Sequence, residues 1–409
     1  MKNNLFLLFI FAVLFSACQS ESTAEAQAAD SASAETYEIP ELLDRHADLR
    51  QGTEWDQIQR LYVAQQQELR KDAQNAEAYL TLTQICINEA RITGEHGHYY
   101  PAALDLVEQG LAVPGLNDDM RFRLLSTKAS VQLSQHSFNE ALATAQEAVK
   151  INPYNAQIYG ALVDAYVELG DYDKAVEMAD QMVNIRPDLR SYSRVSYLRE
   201  IHGDVAGAIE AMELAISAGF PGQEATSWAR LTLGELYETY GQPDKAKLQY
   251  QMALAEREDY PFAIAKLANL KMEEGDLAAA ETELHRAAAI IPEFSFYVDL
   301  ARLHQKRGET EKADEILAEV QLMLEDDVQS GHQMDMEYAF LYLDVYKNPK
   351  EALVYASKEY ERRPNNIDVN RLLAKIYQEL GESEPMQHHL KLAARTQSKH
   401  PDLLALAEK

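Results

Sequence analysis

The residues whose types and spacing could bind a metal lie at positions 95–98. Glu95, His96 and His98 offer a carboxylate and two imidazoles, which is a ligand set that proteins use for zinc. The alternative, which we favour, is a polar loop that lengthens one pair of helices; whether it binds anything stays open. The adjacent His388 and His389 would point to different faces of a helix, so they do not predict a second metal site.

Motifs for other chemistry are missing from the sequence. It contains no glycine-rich phosphate loop, no H-E-x-x-H zinc motif, no Cys-x-x-Cys pair and no G-x-S-x-G nucleophile elbow. Cys86 lies at an apolar-periodic position, which predicts a buried and unreactive thiol. We therefore predict no cofactor, no metal and no catalytic residue. An enzyme is the third class of function that we consider, and a bound metal would distinguish it.

The charge of the chain limits its partners. Its 409 residues include 66 acidic and 38 basic side chains, which give a formal net charge of −28. Phosphate binding needs a basic face, so nucleic acid is not expected as a partner. The acidic surface also argues against direct binding to an anionic bilayer. The length allows two or three domains or one long repeat array.

The amino-terminal residues 1–17 predict a signal peptide that ends at a lipidation site. Leu5–Phe15 is an apolar run of eleven residues, which as a helix would span about 16 Å, too short to cross a bilayer. Ser-Ala-Cys at 16–18 resembles the lipobox of bacterial lipoproteins, although Phe15 stands where that motif usually has leucine. The resemblance implies that Cys18 becomes the lipidated first residue of the mature chain. The alternative is an ordinary secretory signal that is cleaved at the same point.

Residues 18–39 predict a flexible acidic tether rich in alanine and serine. Gln19–Thr36 contains four acidic residues and no basic one, and it has too little apolar surface to offset the entropy of ordering. The lipid on Cys18 would then be the only contact with a membrane. By the sorting pattern of enteric bacteria, Gln19 favours the outer membrane, on its periplasmic face or at the surface.

From residue 40 to residue 409 the sequence repeats with a period near 34 residues. A glycine precedes most of the marker alanines by five residues, and a proline closes most units. This period, with small residues in fixed places, predicts an array of helix hairpins. The marker alanines, at intervals of 33 to 39 residues, are Ala141, Ala175, Ala208, Ala246, Ala280, Ala313 and Ala352.

These units resemble the tetratricopeptide repeat (TPR) family. The resemblance implies an all-α fold, a right-handed superhelical solenoid of about eight to ten stacked TPR helix hairpins over residues 40–409. A weaker unit is predicted at Pro40–Lys71, and an early unit carries about eight extra residues through Thr93–Tyr100. The residues that match the repeat motif best are Tyr159, Leu162, Tyr166, Gly170, Ala175 and Pro187 in one unit and Leu233, Gly234, Tyr237, Gly241, Ala246 and Tyr250 in another.

The same resemblance implies that the first helix of each hairpin lines a concave groove. Such a groove would have an apolar floor and a rim of mixed charge, and exposed apolar patches of this kind mark interaction sites. The alternative is that Trp228 and Phe262 pack between adjacent hairpins. The predicted groove residues are Tyr197, Trp228, Leu231, Phe262, Asn269, Met272 and Arg302.

Taken together, the sequence predicts a lipid-anchored, non-catalytic scaffold in the bacterial cell envelope. It would bind a peptide segment or a partner protein in its concave groove. The alternative is a glycan-binding surface lipoprotein of the starch-utilisation type, a class that is also built from TPR units. Those lipoproteins carry long insertions, whereas this chain has almost none beyond Thr93–Tyr100. A glycan array would distinguish the two.

Overall fold

The computed structural model of the chain describes residues 39–50 and 53–408. The predicted signal peptide, Cys18 and nearly all of the predicted tether lie outside these residues. Residues 40–409 form one compact unit. In the described ranges all regular structure is helical, and no helix there is long and apolar enough to cross a bilayer.

Twenty α-helices follow one another along the described part of the chain, and α16 continues in a π-helical turn at Leu341–Val345. They are α1 (Glu54–Lys71), α2 (Ala76–Thr93), α3 (His96–Ala112), α4 (Asp118–Ser134), α5 (Phe138–Ile151), α6 (Ala156–Leu169), α7 (Tyr172–Ile185), α8 (Leu189–Ile201), α9 (Val205–Ser217), α10 (Glu224–Thr239), α11 (Pro243–Glu256), α12 (Pro261–Glu273), α13 (Leu277–Ile290), α14 (Phe294–Arg307), α15 (Thr310–Gln329), α16 (Asp335–Phe340), α17 (Pro349–Arg362), α18 (Ile367–Leu380), α19 (Ser383–Ala393) and α20 (Pro401–Ala407).

The helices pack in consecutive pairs, from α2 with α3 to α18 with α19, and each pair stacks on the next. We call the even-numbered member of each pair the first helix and the odd-numbered member the second helix. First helices of neighbouring hairpins pack closer together than second helices do, so the array curves with the first helices on its inner side. The predicted all-α solenoid of stacked hairpins is confirmed.

The repeated residues have the local roles that the motif assigns to them. Asn155 accepts a hydrogen bond from the Gln157 N–H at 2.9 Å and so caps the start of α6. Gly170 ends α6 in the left-handed conformation, with φ of 77°, which residues with a side chain adopt at a cost. Ala175 is completely buried where α6 and α7 meet, so a larger side chain there would overpack the hairpin.

Two early segments differ from the sequence prediction. The extra residues at Thr93–Tyr100 do not form a long loop, because α2 and α3 are extended to 18 and 17 residues and absorb them. In the weaker unit only the second helix, α1, is complete. An extended strap, residues 40–50 with one 3₁₀ turn at Ala47–Leu49, replaces its first helix.

A buried ion pair fixes the strap to the first complete hairpin. Arg45 donates two hydrogen bonds to the Glu89 carboxylate on α2, at 2.8 and 2.6 Å, and both side chains are buried. The Arg45 guanidinium also lies 5.0 Å from the ring centre of Trp55. Four residues later, Leu49 joins a buried apolar cluster that α12, α13 and α14 supply. The strap therefore joins the start of the array to hairpins more than halfway along it.

Leu49 is one end of a continuous interface that we call the seam. In the seam, the turns inside the early hairpins pack against the loops that connect the late hairpins. The His136 ring lies 3.0 Å from the Gln333 carbonyl oxygen, and the Ile367 N–H donates to the Tyr172 hydroxyl at 2.9 Å. The members of each contact are about 200 residues apart in sequence, with 195 between Tyr172 and Ile367.

Ionic contacts close the middle of the seam. The buried Arg363 guanidinium pairs with Glu359 on its own helix and with Glu168 at the end of α6, and it lies 4.9 Å from the ring centre of Phe138. Asn366 donates to the Glu168 carbonyl oxygen at 3.0 Å. Burial raises the pKa of the Glu168 carboxyl, and the Arg363 charge only partly offsets this effect. The early hairpins are thus joined to the late ones by an ion pair in which the arginine is buried and the glutamate is partly exposed.

Candidate functional site

The candidate site is the inner face of the first helices from α6 to α14. Residues seven apart on a helix share a face, so Trp228 lies on the same face as Glu235, and Phe262 on the same face as Asn269. Glu235 and Asn269 both contact the following first helix. Trp228 and Phe262 therefore lie on the side of their helices that faces the neighbouring first helices. That a partner binds on this side stays a prediction.

A ladder of polar pairs crosses this surface. In each rung a side chain on one first helix binds a side chain on the next, 30 or 31 residues later. Two of the three rungs pair opposite charges and the third joins an amide to a carboxylate, and each rung links neighbouring first helices. The rungs are Asp164 with Arg194 at 2.8 Å, Glu235 with Lys266 at 2.8 Å and Asn269 with Asp299 at 2.6 Å.

One ionisable side chain in each of two rungs has a shifted pKa. Burial raises the pKa of the Asp299 carboxyl, and the hydrogen bond from Asn269 and the charge of Arg302 oppose the shift. Burial alone would lower the pKa of Lys266, but the Glu235 carboxylate outweighs it and the pKa rises. Lys266 therefore stays charged as the partner of Glu235 and is not a free cation for a ligand.

Trp228 and Arg302 are the predicted groove residues that are most open to solvent. The Trp228 side chain keeps 42% of its surface exposed, an unusual value for an indole in a packed helical array. Arg302 is exposed, and its guanidinium lies 3.5 Å from the Asp299 carboxylate. On α8 the exposed Arg190 forms no ion pair with any described residue. Trp228 and Arg190 are thus available to a partner, and Arg302 is exposed but shared with Asp299.

Three of the other predicted residues are occupied in packing. Leu231 and Met272 are buried in the apolar clusters between hairpins. The ring of Phe262 packs edge to face against Phe296, with 5.5 Å between ring centres, and it also contacts Tyr260. Phe262 therefore packs between adjacent hairpins, which was the alternative to a place in the groove. Trp228 remains exposed to solvent.

Tyr197 and Asn269 are also engaged by other residues. The Tyr197 hydroxyl lies 3.2 Å from the Asp368 carboxylate, across the seam. Burial, with the negative charge of Asp368, raises the pKa of the Tyr197 phenol well above its ordinary value. Asn269 uses its amide nitrogen in the rung with Asp299. Sequence reasoning could not separate such engaged residues from free ones, because their partners lie on other hairpins.

The histidine segment is helical and not a loop. Glu95 directly precedes α3, His96 is the first residue of that helix, and the His98 ring lies 2.8 Å from the Glu41 carbonyl oxygen in the strap. The His96 ring stacks on Tyr100 with 5.4 Å between centres, and burial lowers the pKa of His96. No group of three or more potential ligands that could hold a metal occurs among the described residues.

Comparison with known proteins finds one repeat family and several solved structures to which the chain is similar. The tetratricopeptide repeat family model matches residues 132–199. The chain is similar in structure to the APC/C hetero-tetramer Cut9–Hcn1, with 13% identity, a TM-score of 0.47 and coverage of 88% of this chain and 61% of that one.

Two smaller proteins match over nearly their whole length. One is a thermophilic TPR protein of Thermus thermophilus, with 21% identity, a TM-score of 0.40 and coverage of 47% of this chain and 97% of that one. The other is PilW, a type IV pilus biogenesis factor, with 20% identity, a TM-score of 0.41 and coverage of 52% and 97%. The family model covers residues 132–199, and in this range the chain is similar to tetratricopeptide repeat proteins both in its repeat period and in its stacked hairpins.

Proposed function

We propose that the protein is a non-catalytic scaffold that holds a segment of a partner protein on the inner face of its first helices. TPR folds serve in general as protein-interaction scaffolds. The observation that carries the proposal is the open indole of Trp228 on that face. Tryptophan is enriched among the residues that supply most of the binding energy in protein interfaces.

The charges on the inner face indicate what kind of segment would fit. The rungs of the polar ladder are already paired, so they add little attraction for a ligand. Arg190 on α8 and Arg302 on α14 flank Trp228 along the array and remain exposed. A partner segment with an apolar side chain for the indole and an acidic side chain for one of these arginines would match them.

Replacing Trp228 with alanine is expected to abolish partner capture without unfolding the array. The indole is half open, so its loss leaves a small cavity at most, whereas truncation of an interface anchor costs about 2 kcal/mol or more, some thirtyfold in affinity. A photo-crosslinking amino acid at position 232, one helical turn from Trp228, in intact cells would identify the partner by mass spectrometry while the indole is kept. Binding of the purified partner to the Trp228→Ala variant would then be measured by calorimetry.

Leu248 provides the matched control for this experiment. It is 52% exposed, and it lies on the second helix α11, away from the inner face. A crosslinker at position 248 should not capture the same partner, and Leu248→Ala should bind it with unchanged affinity. Equal capture from both positions, or normal binding by Trp228→Ala, would contradict the groove proposal. Binding to a glycan array that depends on Trp228 would favour the glycan-binding alternative.

We also propose that the chain is a lipoprotein of the bacterial envelope, anchored through Cys18. The support is the short apolar run and the lipobox-like residues that precede this cysteine. The Cys18→Ser variant is expected to leave the membrane fraction and to lose incorporation of labelled fatty acid, because a serine cannot form the thioether. Fractionation of cells followed by immunoblotting would measure this change.

The buried thiol supplies the control for the anchor. Burial raises the pKa of Cys86 to about 12, so it is a poor nucleophile, and Cys86→Ser should leave fatty-acid labelling unchanged. Continued labelling of the Cys18→Ser variant would show that the lipid is attached elsewhere.

A further inference from the structure

The seam uses the turns of the early hairpins and the connecting loops of the late hairpins. The turns of the late hairpins and the connecting loops of the early hairpins take no part in it. The turns inside the early hairpins are covered: at Gly94, Gly170 and Gly203 an added Cβ would meet atoms of the late connecting loops. The equivalent turns of later hairpins are open, and an added Cβ there would meet no described atom within 4 Å. These open turns contain Gly241, Gly275, Gly308 and Gly381.

The connecting loops show the opposite distribution. The late loop at residues 363–366, Arg-Pro-Asn-Asn, is covered by the turn at Gly170. The early loop at residues 152–155, Asn-Pro-Tyr-Asn, has the same proline and the same capping asparagine before the next first helix. Its Tyr154 stands at the position of Asn365, which packs on Gly170, yet Tyr154 is 84% exposed. An aromatic ring at a seam position thus lacks the surface that covers its counterpart.

A second early loop has the same character. Phe220, in the loop between α9 and α10, is 71% exposed. Tyr154 and Phe220 are the two most exposed large apolar side chains of the described residues, and both lie in early connecting loops, which the seam does not use. Two early loops thus leave an aromatic ring open at the position that is covered in the late loops.

The spacing between the turns and the loops that meet in the seam indicates which surface would fit the early loops. The turn between α6 and α7 meets the loop between α17 and α18, and the turn between α4 and α5 meets the loop between α15 and α16. Each turn therefore meets the loop eleven helices further on. If a second copy continued the count after α20, the turns at Gly308 and Gly381 would meet its loops between α5 and α6 and between α9 and α10. Those are the loops that carry Tyr154 and Phe220.

We propose that a second copy of this chain docks head to tail on the early loops, so that Tyr154 and Phe220 of one copy cover the turns at Gly308 and Gly381 of the other. The contact repeats between molecules the interface that the seam makes within one molecule. The early loops of one copy contact the late turns of the other, so the two surfaces in the contact differ. Each dimer therefore keeps one free set of loops and one free set of turns, and further copies can add to form a chain. The net charge of −28 opposes the approach of two copies, so salt strengthens their association. This proposal does not depend on the groove.

Two double variants test the proposal. One changes the early loops and the other changes the late turns. Tyr154→Asp with Phe220→Asp places charge on the loops. Thr310→Asp with Ser383→Asp places charge on the open turns, at the first residues of α15 and α19, where an acidic side chain favours the helix. Leu322→Asp, in the middle of α15 and away from both surfaces, is the control.

Sedimentation velocity over a range of protein concentrations measures the outcome. The unmodified protein and Leu322→Asp should self-associate, more strongly at high salt, and each double variant alone should associate at least tenfold more weakly. An equimolar mixture of the two double variants should give a dimer and nothing larger, because each still has one intact surface. A monomeric unmodified protein, double variants that associate normally, or a mixture that stays monomeric would each overturn the proposal.

Discussion

Substitution of Gly170 by alanine is expected to destabilise the protein far more than the same change at Gly308. Both glycines end a first helix in the left-handed conformation, with φ of 77° and 74°, which costs a residue with a side chain about 1–2 kcal/mol. At Gly170 the new Cβ would also lie 2.2 Å from the Asn365 carbonyl oxygen. Either the turn or the late loop must move, which adds about 1–3 kcal/mol by overpacking.

Gly308 is the control because an added Cβ meets no described atom within 4 Å there. Urea unfolding followed by far-UV circular dichroism gives the free energy of unfolding of both variants. The conformational strain is common to the two positions. The additional loss of free energy of unfolding at Gly170 therefore measures the packing of this turn against the late loop. Equal losses at Gly170 and Gly308 would mean that the early turn and the late loop do not touch in solution.

Replacing Arg363 with methionine is expected to lower the free energy of unfolding by about 3 kcal/mol. Loss of one partner of a buried ion pair leaves the other charge without compensation, which typically costs about 3–5 kcal/mol. The lower end of this range applies because Arg362 still faces Glu359. Glu168, however, would lose its cation, and the separation of the early and late hairpins should expose the seam to proteolysis.

Arg186 is the matched control for this change. It also pairs with a carboxylate, that of Asp188 at 2.9 Å, but its side chain is largely exposed. Surface ion pairs contribute about 0–1 kcal/mol, so Arg186→Met should change the free energy of unfolding and the rate of proteolysis very little. Similar effects of the two substitutions would contradict the role that we give to Arg363.

The hairpin array was predictable from the sequence because its determinants are local. Ala175 and Gly170 are required by contacts within one hairpin, so they recur at the repeat period and can be recognised without a structure. The family resemblance, and not the repeat period, implied which face of the first helices lies inward. The extra residues at Thr93–Tyr100 misled the prediction, since length alone does not say whether helices or a loop take up an insertion.

The seam could not be predicted, because its members occur once and lie about 200 residues apart. In the sequence, Glu168 and Arg363 are indistinguishable from surface residues of two separate repeats. Only the curvature of the array brings them together. The same holds for Tyr197, which the repeat register assigns to the groove while Asp368 engages it. The register also could not separate the open Trp228 from the packed Phe262, because the difference lies in the ring of Phe296 on the next first helix.

Amide hydrogen exchange at Ile367 tests the central structural claim most directly. Ile367 is the first residue of α18, so its N–H has no acceptor within the helix, and the Tyr172 hydroxyl across the seam accepts it at 2.9 Å. Ala156 begins α6 in the same way, but its N–H finds no acceptor among the described residues. We expect slow exchange at Ile367 and fast exchange at Ala156, with Tyr172→Phe removing the protection of Ile367. Fast exchange at both amides of the unmodified protein would show that the early and late hairpins are not joined.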